Sequence, residues 1–453
     1  MPSFREDASR YAAFEAQAQA GLPLSEEHLD LKVLEWRPGN RVGQLYRIDN
    51  LAKLAERPRC QLRVIFAPLD FPNRRTTKGL LALFENFNFP SSFLSERLQS
   101  VSHSFGSRQN EDHSQAYWFH YLCKNVNVEL GPDGRPTIAN PNIWEKAKIL
   151  SHADFSWIRA GFYLTIQPDS ANEKKTQMVT LVCFGASGEI ERRFENIMLN
   201  SAWEDAMQDP LILFDVVFDQ LYLQIDTIAW KLAEVYGSME TRILDRASRP
   251  GSAAETIDFV GLHNISKHVV YLREGAEAAS KTLRKICEHH RSLVAEQPTS
   301  SFTKMQTQDS LEYTQTLLDS TQLRLISLEK RINNLINLAF NLVTQQDSRI
   351  MQKDSSSMKT IAIMTLIFLP AGTVAAMFGS QFFNLSVDDD TGTSAFVISP
   401  LFWIFWLISM TLTVILLCVW RLWHRRNKKK FIETRVPIER RDTELSANSS
   451  KNV

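Results

Sequence analysis

TIAIMTLIFLPAGTVAAMF at 360–378 and ISPLFWIFWLISMTLTVILLCVW at 398–420 decide what kind of protein this is. No charged residue falls between Lys359 and Asp388, and none between Asp390 and Arg421. Each run meets the roughly 20 apolar residues a helix needs to cross a hydrocarbon core. The rival reading is a pair of buried core helices, but soluble helices seldom carry uncharged runs this long. Flanking charge sets the orientation. Arg421, Arg425, Arg426, Lys428, Lys429 and Lys430 follow the second run, and Lys353 and Lys359 precede the first. Between the runs stand Asp388, Asp389 and Asp390 with no base. Positive-inside bias therefore predicts a multi-pass integral protein of the plasma membrane or an internal membrane, with both termini cytoplasmic and a short outer loop. Trp403, Trp406, Trp420 and Trp423 suit interfacial belts at the two ends of the second helix. The basic tail could instead serve nucleic acid, but directly after a span topology explains it better.

Small residues recur at every fourth position of the first run, as Ala371, Ala375, Gly379 and as Gly372, Ala376, Ser380. Such spacing lets helix backbones approach closely in lipid. Two spans per chain cannot enclose an aqueous path, so a pore would need several copies. A plain two-helix anchor is the alternative.

Upstream, Leu311, Leu318, Leu325, Ile332 and Ala339 lie seven apart, with Leu328, Leu335 and Leu342 three residues beyond, so the pattern predicts a coiled-coil-like seam. Thr314 and Thr321 weaken its start. No proline or glycine interrupts 299–369. A helix over 303–378 would reach roughly 110 Å at 1.5 Å per residue, too long to be buried in one small domain. Before it, Phe214, Phe218, Leu221, Ile225, Ile228, Leu232, Val235 and Met239 recur at helical spacing. Asp209-Pro210 reads as the N-cap and first position of that helix. Ser252 and Glu255 read as a capping box for the next.

From about 30 to 200 the pattern is mixed. QLRVIFAPLD (61–70), AYWFHYLCKNV (116–126), GFYLTIQ (161–167) and MVTLVCFG (178–185) read as strands, the last two as an antiparallel hairpin. GPDGRP at 131–136 is turn chemistry. The N-terminus has acids and no apolar core, so it is not a secretory signal.

The expected fold class is an α+β membrane protein. Its expected parts are a flexible leader (1–29), a cytoplasmic α/β domain (30–208), a cytoplasmic helical pair (209–298) and a long stalk helix (299–358). A first transmembrane helix (359–380), an extracytoplasmic loop (381–396), a second transmembrane helix (397–420) and a basic cytoplasmic tail (421–453) complete it.

The 51 basic and 51 acidic residues cancel, which gives no overall pull toward nucleic acid. The five cysteines show no CxxC or finger spacing. Cys287, His289 and His290 could suggest zinc, yet adjacent histidines point about 100° apart on a helix, and no fourth ligand is near. Asn384-Leu385-Ser386 is a glycosylation sequon too near the membrane to expect modification. No Walker A, GxGxxG, GxSxG or HExxH motif occurs, so no enzyme and no cofactor is expected.

A mixed N-terminal domain, a very long helix entering the membrane and a second span with a basic tail together resemble the CorA superfamily of divalent-cation channels. LPAGTVAAMFGSQFF (369–383) looks like that family's end of the first span, and the stretch from Arg324 to Gly379 is similar to CorA-like proteins of filamentous fungi. The resemblance implies a homo-oligomer, a pentamer, that sits in the lipid bilayer and passes divalent cations, Mg2+ foremost. It implies a pore mouth at Gly379, Ser380 and Gln381, where the family carries Gly-Met-Asn, so the amide is kept one methylene further out. It implies pore-lining roles for Met358, Ile361, Leu369 and Gly372. Asp388, Asp389 and Asp390 would attract cations, with a merely solvated loop as the rival. Asp309, Glu312 and Asp319, with Glu329, are candidate cytoplasmic cation sites, against a solvated helix face. The altered signature leaves a second hypothesis open, a non-conducting membrane-anchored scaffold or cation sensor.

Overall fold

The structure is a computed structural model. It describes residues 8–19, 29–37, 39–72, 75–98, 100–141, 154–168, 177–199, 202–248, 257–296, 302–387, 394–398 and 400–422. The chain divides into two compact units, Met1–Phe340 and Asn341–Val453.

The first unit is built on a seven-stranded sheet. Its strands are β1 (Leu31–Trp36), β2 (Gln44–Ile48), β3 (Leu62–Ala67), β4 (Gly106–Gln109), β5 (Gln115–Asn125), β8 (Ser156–Pro168) and β9 (Gln177–Phe184), in the order β2-β1-β3-β9-β8-β5-β4. Only β3 and β9 run parallel; the other neighbours are antiparallel. The predicted hairpin is β8–β9, with Gly161 opposite Phe184 and Pro168 opposite Gln177. The GPDGRP turn joins a small separate pair, β6 (Asn127–Leu130) and β7 (Pro136–Ala139).

The central strands read as unbroken apolar runs because both faces of the sheet are covered. On one face Leu31, Val33, Ile65, Trp118, Tyr163, Val182 and Phe184 pack with Phe14 and with Leu80, Phe84, Phe93 and Leu94. Those partners come from α1 (Ala8–Gln19), α3 (Thr77–Asn86) and α4 (Ser91–Leu98); the short α2 (Leu51–Ala55) follows β2. On the other face Phe119 meets Phe162, Phe214 and Phe218 at 4.8–5.0 Å between ring centroids. Phe66 meets Phe194 of α5 (Gly188–Met198) at 5.9 Å. After α6 (Trp203–Gln208), α7 (Ile212–Ser248), α8 (Phe259–Ala295) and α9 (Phe302–Phe382) supply the long helices. Gly275 lets α8 lie close on β5: a Cβ there would come 2.5 Å from Cys123 Sγ.

Several expectations need correction. The 1–29 leader is not wholly flexible, because Ala8–Gln19 is helical and Phe14 is fully buried against Phe84 at 5.5 Å. One aromatic in a polar stretch carries too little periodicity to announce a docked helix. α7 begins at Ile212 rather than at Pro210, since Asp209 accepts the Leu211 N–H through Oδ1 and binds His290 through Oδ2. Ser252 and Glu255 lie outside the described residues; the N-cap of α8 is Asp258, whose side chain accepts from Gly261 N at 2.8 Å. The edge strands β2 and β4, and β1 beside β2, carry charged or polar residues among their apolar ones and escaped the apolar-run criterion.

The second unit holds the remainder of α9. An antiparallel pair follows, β10 (Phe383–Val387) with β11 (Ser394–Ile398), and then a final helix α10 (Phe402–Leu422). The expected outer loop is thus partly strand, and the second apolar helix starts at Phe402. Pro370 sits inside α9 and removes one backbone donor from the ladder.

Candidate functional site

α9 carries every candidate residue except the three loop aspartates, so the site begins with what holds this helix. In the first unit Leu311, Leu318, Leu325, Ile332 and Ala339 are all essentially inaccessible. The threonines that look like flaws in the seam are fasteners. Thr314 Oγ1 donates to Asp215 Oδ1 at 3.3 Å and Ser310 Oγ to Asp215 Oδ2 at 2.6 Å. Thr321 Oγ1 donates to Asp226 Oδ1 at 3.1 Å, and Arg324 pairs with the same carboxylate. Burial pushes Asp215 above the usual carboxylate range, and its two hydroxyl donors only partly offset that. The signal was present: two acids eleven apart on the α7 face answer two hydroxyls seven apart on α9.

The α8 side engages the candidate cytoplasmic cation sites. Glu312 pairs with Arg291 and accepts from Gln308 Nε2 at 2.5 Å; hydrogen bonds from Gln308 and Arg291 hold its carboxyl below the usual range. Asp319 accepts from Ser280 at 2.5 Å and lies 3.8 Å from Arg284. Glu329 pairs with Arg273 at 3.1 Å, and Asp309 is exposed. Within one chain Glu312, Asp319 and Glu329 hold α8 rather than converge with Asp309. No group of three or more His, Cys, Asp or Glu able to hold a metal occurs among the described residues.

Cys287, His289 and His290 also diverge. Burial pushes the Cys287 thiol up to about 12, so it offers no thiolate. His289 packs against Phe105 and Tyr117 at 5.7 and 5.3 Å. His290 is buried, with Nε2 2.7 Å from Asp209 Oδ2 and Nδ1 2.6 Å from Gln308 Oε1.

In the second unit the surroundings change. Met358, Ile361 and Leu369 are 71%, 67% and 59% exposed, and a Cβ added to Gly372 would meet nothing within 4 Å. Helical spacing puts all four on one stripe. Thr365, which sequence reasoning passed over, falls on the same stripe, its hydroxyl donating to Ile361 O at 2.9 Å. Gly379, Ser380 and Gln381 lie in the last turn of α9, described by backbone only. Asp388, Asp389, Asp390 and the tail beyond Leu422 lie outside the described residues. Among the described residues two helices are long and apolar enough to cross a membrane, Phe302–Met377 through its C-terminal part and Phe402–Leu422, with only 12% and 6% of their apolar windows buried. Core helices of a soluble protein would be mostly buried, so these surfaces require lipid or other chains.

The sequence model of the family described as CorA-like Mg2+ transporter protein matches residues 192–425, more than half of the chain. No curated protein sequence matches. Among solved structures the chain is similar to the CorA magnesium transporter from Methanocaldococcus jannaschii, at 11% identity, covering 86% of this chain and 97% of that one with a TM-score of 0.44. It is similar to the full-length CmaX protein at 13% identity, covering 88% and 98% with a TM-score of 0.45. The ZntB cytoplasmic domain from Vibrio parahaemolyticus matches at 8% identity, covering 68% and 98% with a TM-score of 0.31.

Proposed function

The chain belongs to the CorA-like Mg2+ transporter protein family, and from that membership we propose that it is a homo-oligomeric channel for divalent cations, five copies around one path, with Mg2+ the leading cargo. The observation that carries this reading is the uncharged, exposed stretch of α9. Met358, Ile361 and Leu369 would form apolar rings that close the path by dewetting, and Gly372 would let the helices approach. Thr365 would put a hydroxyl between those rings.

Magnesium releases its waters reluctantly, so a mouth of neutral oxygens can hold the hydrated ion where a ring of carboxylates would bind it too tightly to leave. Gln381 would supply those oxygens, and Asp388, Asp389 and Asp390 would raise the local cation concentration outside it. Both termini would lie in the cytoplasm. Cation occupancy at Asp309, Glu312 and Asp319 would have to compete with Arg291, Ser280 and Arg284 for two of the three carboxylates. That competition would couple ion level to the position of α9.

The test is ion flux through purified protein in liposomes, with Mg2+, Ni2+, Co2+ and Zn2+ each presented across a gradient. Saturable Mg2+ uptake supports the channel. Silence toward all four ions from a folded oligomer replaces it with the scaffold or sensor, the reading that the Gly379-Ser380-Gln381 signature favours.

A further inference from the structure

Residues 32–63 carry eight Lys and Arg against three Asp and Glu, in a chain whose total charge is zero. At the centre of this patch stands Glu35, whose side chain is fully buried. Three guanidinium groups converge on it. Arg57 grips it through Nε at 2.9 Å and Nη2 at 3.0 Å while lying 3.5 Å over the ring of Tyr46. Arg63 reaches Oε1 at 2.9 Å through Nη2, and Arg37 reaches Oε2 at 3.0 Å. Neighbouring strands fix this meeting, since Glu35 on β1 is in register with Arg63 on β3.

The stoichiometry is unbalanced. A carboxylate has about four acceptor sites, and three guanidiniums bring about fifteen N–H donors and three positive charges. Arg57, Arg63 and Arg37 already supply the carboxylate with its contacts, and Arg37 Nε is buried with no hydrogen-bond partner among the described residues. Among the described residues Glu35 is the one carboxylate these three arginines pair with. Burial pushes the Cys60 thiol up, so it stays neutral, and Asp49 is held by Lys53 at 2.6 Å. For Glu35 itself, burial pushes the carboxyl up, and Arg57, Arg63 and Arg37 outweigh that, so it is ionised and counts as a single charge. Two positive charges remain.

The arginine side chains also stay within reach of solvent, Arg37, Arg57 and Arg63 keeping 27%, 18% and 14% of their surface. Planar forks pre-ordered by one buried carboxylate, with two charges and several donors to spare, match a tetrahedral dianion. We infer that Arg37, Arg57 and Arg63, organised by Glu35, form a binding site for a phosphate-bearing anion on the α/β domain. Glu35 is the positioning residue, and the phosphate is bound by the donors it leaves unused.

The experiment uses the full chain in detergent, titrated calorimetrically with pyrophosphate, inorganic phosphate and glycerol phosphate against sodium chloride at matched ionic strength. Saturable binding of at least one phosphate compound and none of chloride is expected. Tighter pyrophosphate binding assigns a soluble source and tighter glycerol phosphate binding a lipid headgroup; either supports the site. Arg37→Gln should weaken binding at least tenfold, whereas Lys53→Gln, in the same patch but outside the trio, should change it less than twofold. If Arg37→Gln does not fold, Arg37→Lys, which keeps the charge and loses the fork, carries the same tenfold expectation. Absence of saturable phosphate binding by the wild type, or equal weakening by the Arg37 and Lys53 variants, overturns the proposal.

Discussion

One helix, α9, lives under two regimes, and the contrast between its halves locates the function. Up to Ala339 its apolar seam is buried, Ser310 and Thr321 have partners on α7, and Glu312, Asp319 and Glu329 have partners on α8. Beyond Asn341, Ile350, Met351, Met358, Ile361 and Leu369 are all more than half exposed. A helix of uniform purpose would have kept one pattern. The first half is covered by its own chain; the second is left uncovered by it.

The largest effect should come from placing the same charge in both halves. Leu325→Asp puts an unpaired carboxylate where the wild-type residue is 1% exposed. The expected cost is on the order of 4 kcal/mol or more, most of a typical domain's stability. The variant should be recovered as aggregate, or with a melting midpoint lowered by about 5 °C or more, roughly what that cost implies for a body of this size. Met351→Asp, at a site 71% exposed, should change the melting of the body by no more than about 0.5 kcal/mol. Equal behaviour of the two variants in thermal melts and gel filtration would erase the contrast.

Gly372→Leu sharpens the second half. A Cβ there meets nothing within 4 Å of the same chain, so the single chain should fold normally. Any loss is then a loss between chains. We expect Mg2+ flux to drop at least tenfold, or the oligomer to dissociate on gel filtration, because a branched side chain intrudes where backbones approach. Unchanged flux with unchanged oligomer size removes Gly372 from both roles.

A smaller, selective change is expected at the end of the same helix. Ser380→Met with Gln381→Asn shortens the amide by one methylene and should raise the ratio of Mg2+ to Ni2+ or Co2+ flux severalfold with little effect on melting. A ratio unmoved by this pair, in a protein that conducts, places selectivity elsewhere.

How much of this was legible beforehand follows the same division. The two apolar helices of the second unit lie almost open in the sequence, because a long uncharged run has few soluble interpretations. The buried strands were legible as apolar runs, and the seam from Leu311 to Ala339 as a heptad. What escaped notice was paired rather than periodic. Thr314 and Thr321 look like defects until Asp215 and Asp226 are set opposite them. Glu35 is an ordinary strand residue until three distant arginines close on it. A polar pair separated by a hundred residues leaves no local period to read. The pore candidates on Met358, Ile361, Leu369 and Gly372 rested on resemblance, and Thr365 joined their stripe only through helical spacing.

The smallest predicted effect tests whether the first half is as self-contained as the contrast requires. His290 joins the end of α8 to the chain segment before α7 and to the start of α9. Its Nε2 lies 2.7 Å from Asp209 Oδ2 and its Nδ1 2.6 Å from Gln308 Oε1. Gln308 cannot simply reverse its amide, because its Nε2 already donates to Glu312 at 2.5 Å and to Cys287 O at 3.5 Å. Both ring nitrogens therefore face acceptors, and only the imidazolium can donate to both. Burial pushes the imidazole down, but the hydrogen bond and charge of Asp209, with Gln308, outweigh it against the opposing field of Lys304, so the group ends above its ordinary value. A raised value in the folded state means that the stabilisation is complete below the ordinary imidazole range. It fades as pH rises from there through the raised value. The contribution is small against the stability of a body of this size, about a degree or two in melting midpoint. Wild-type melting should fall by that much from pH 6 to pH 8.5, and His290→Gln, which cannot titrate, should be flatter across the same window. Parallel pH curves for wild type and variant would mean that the latch is neutral and that the junction of the three helices is held by the apolar seam alone.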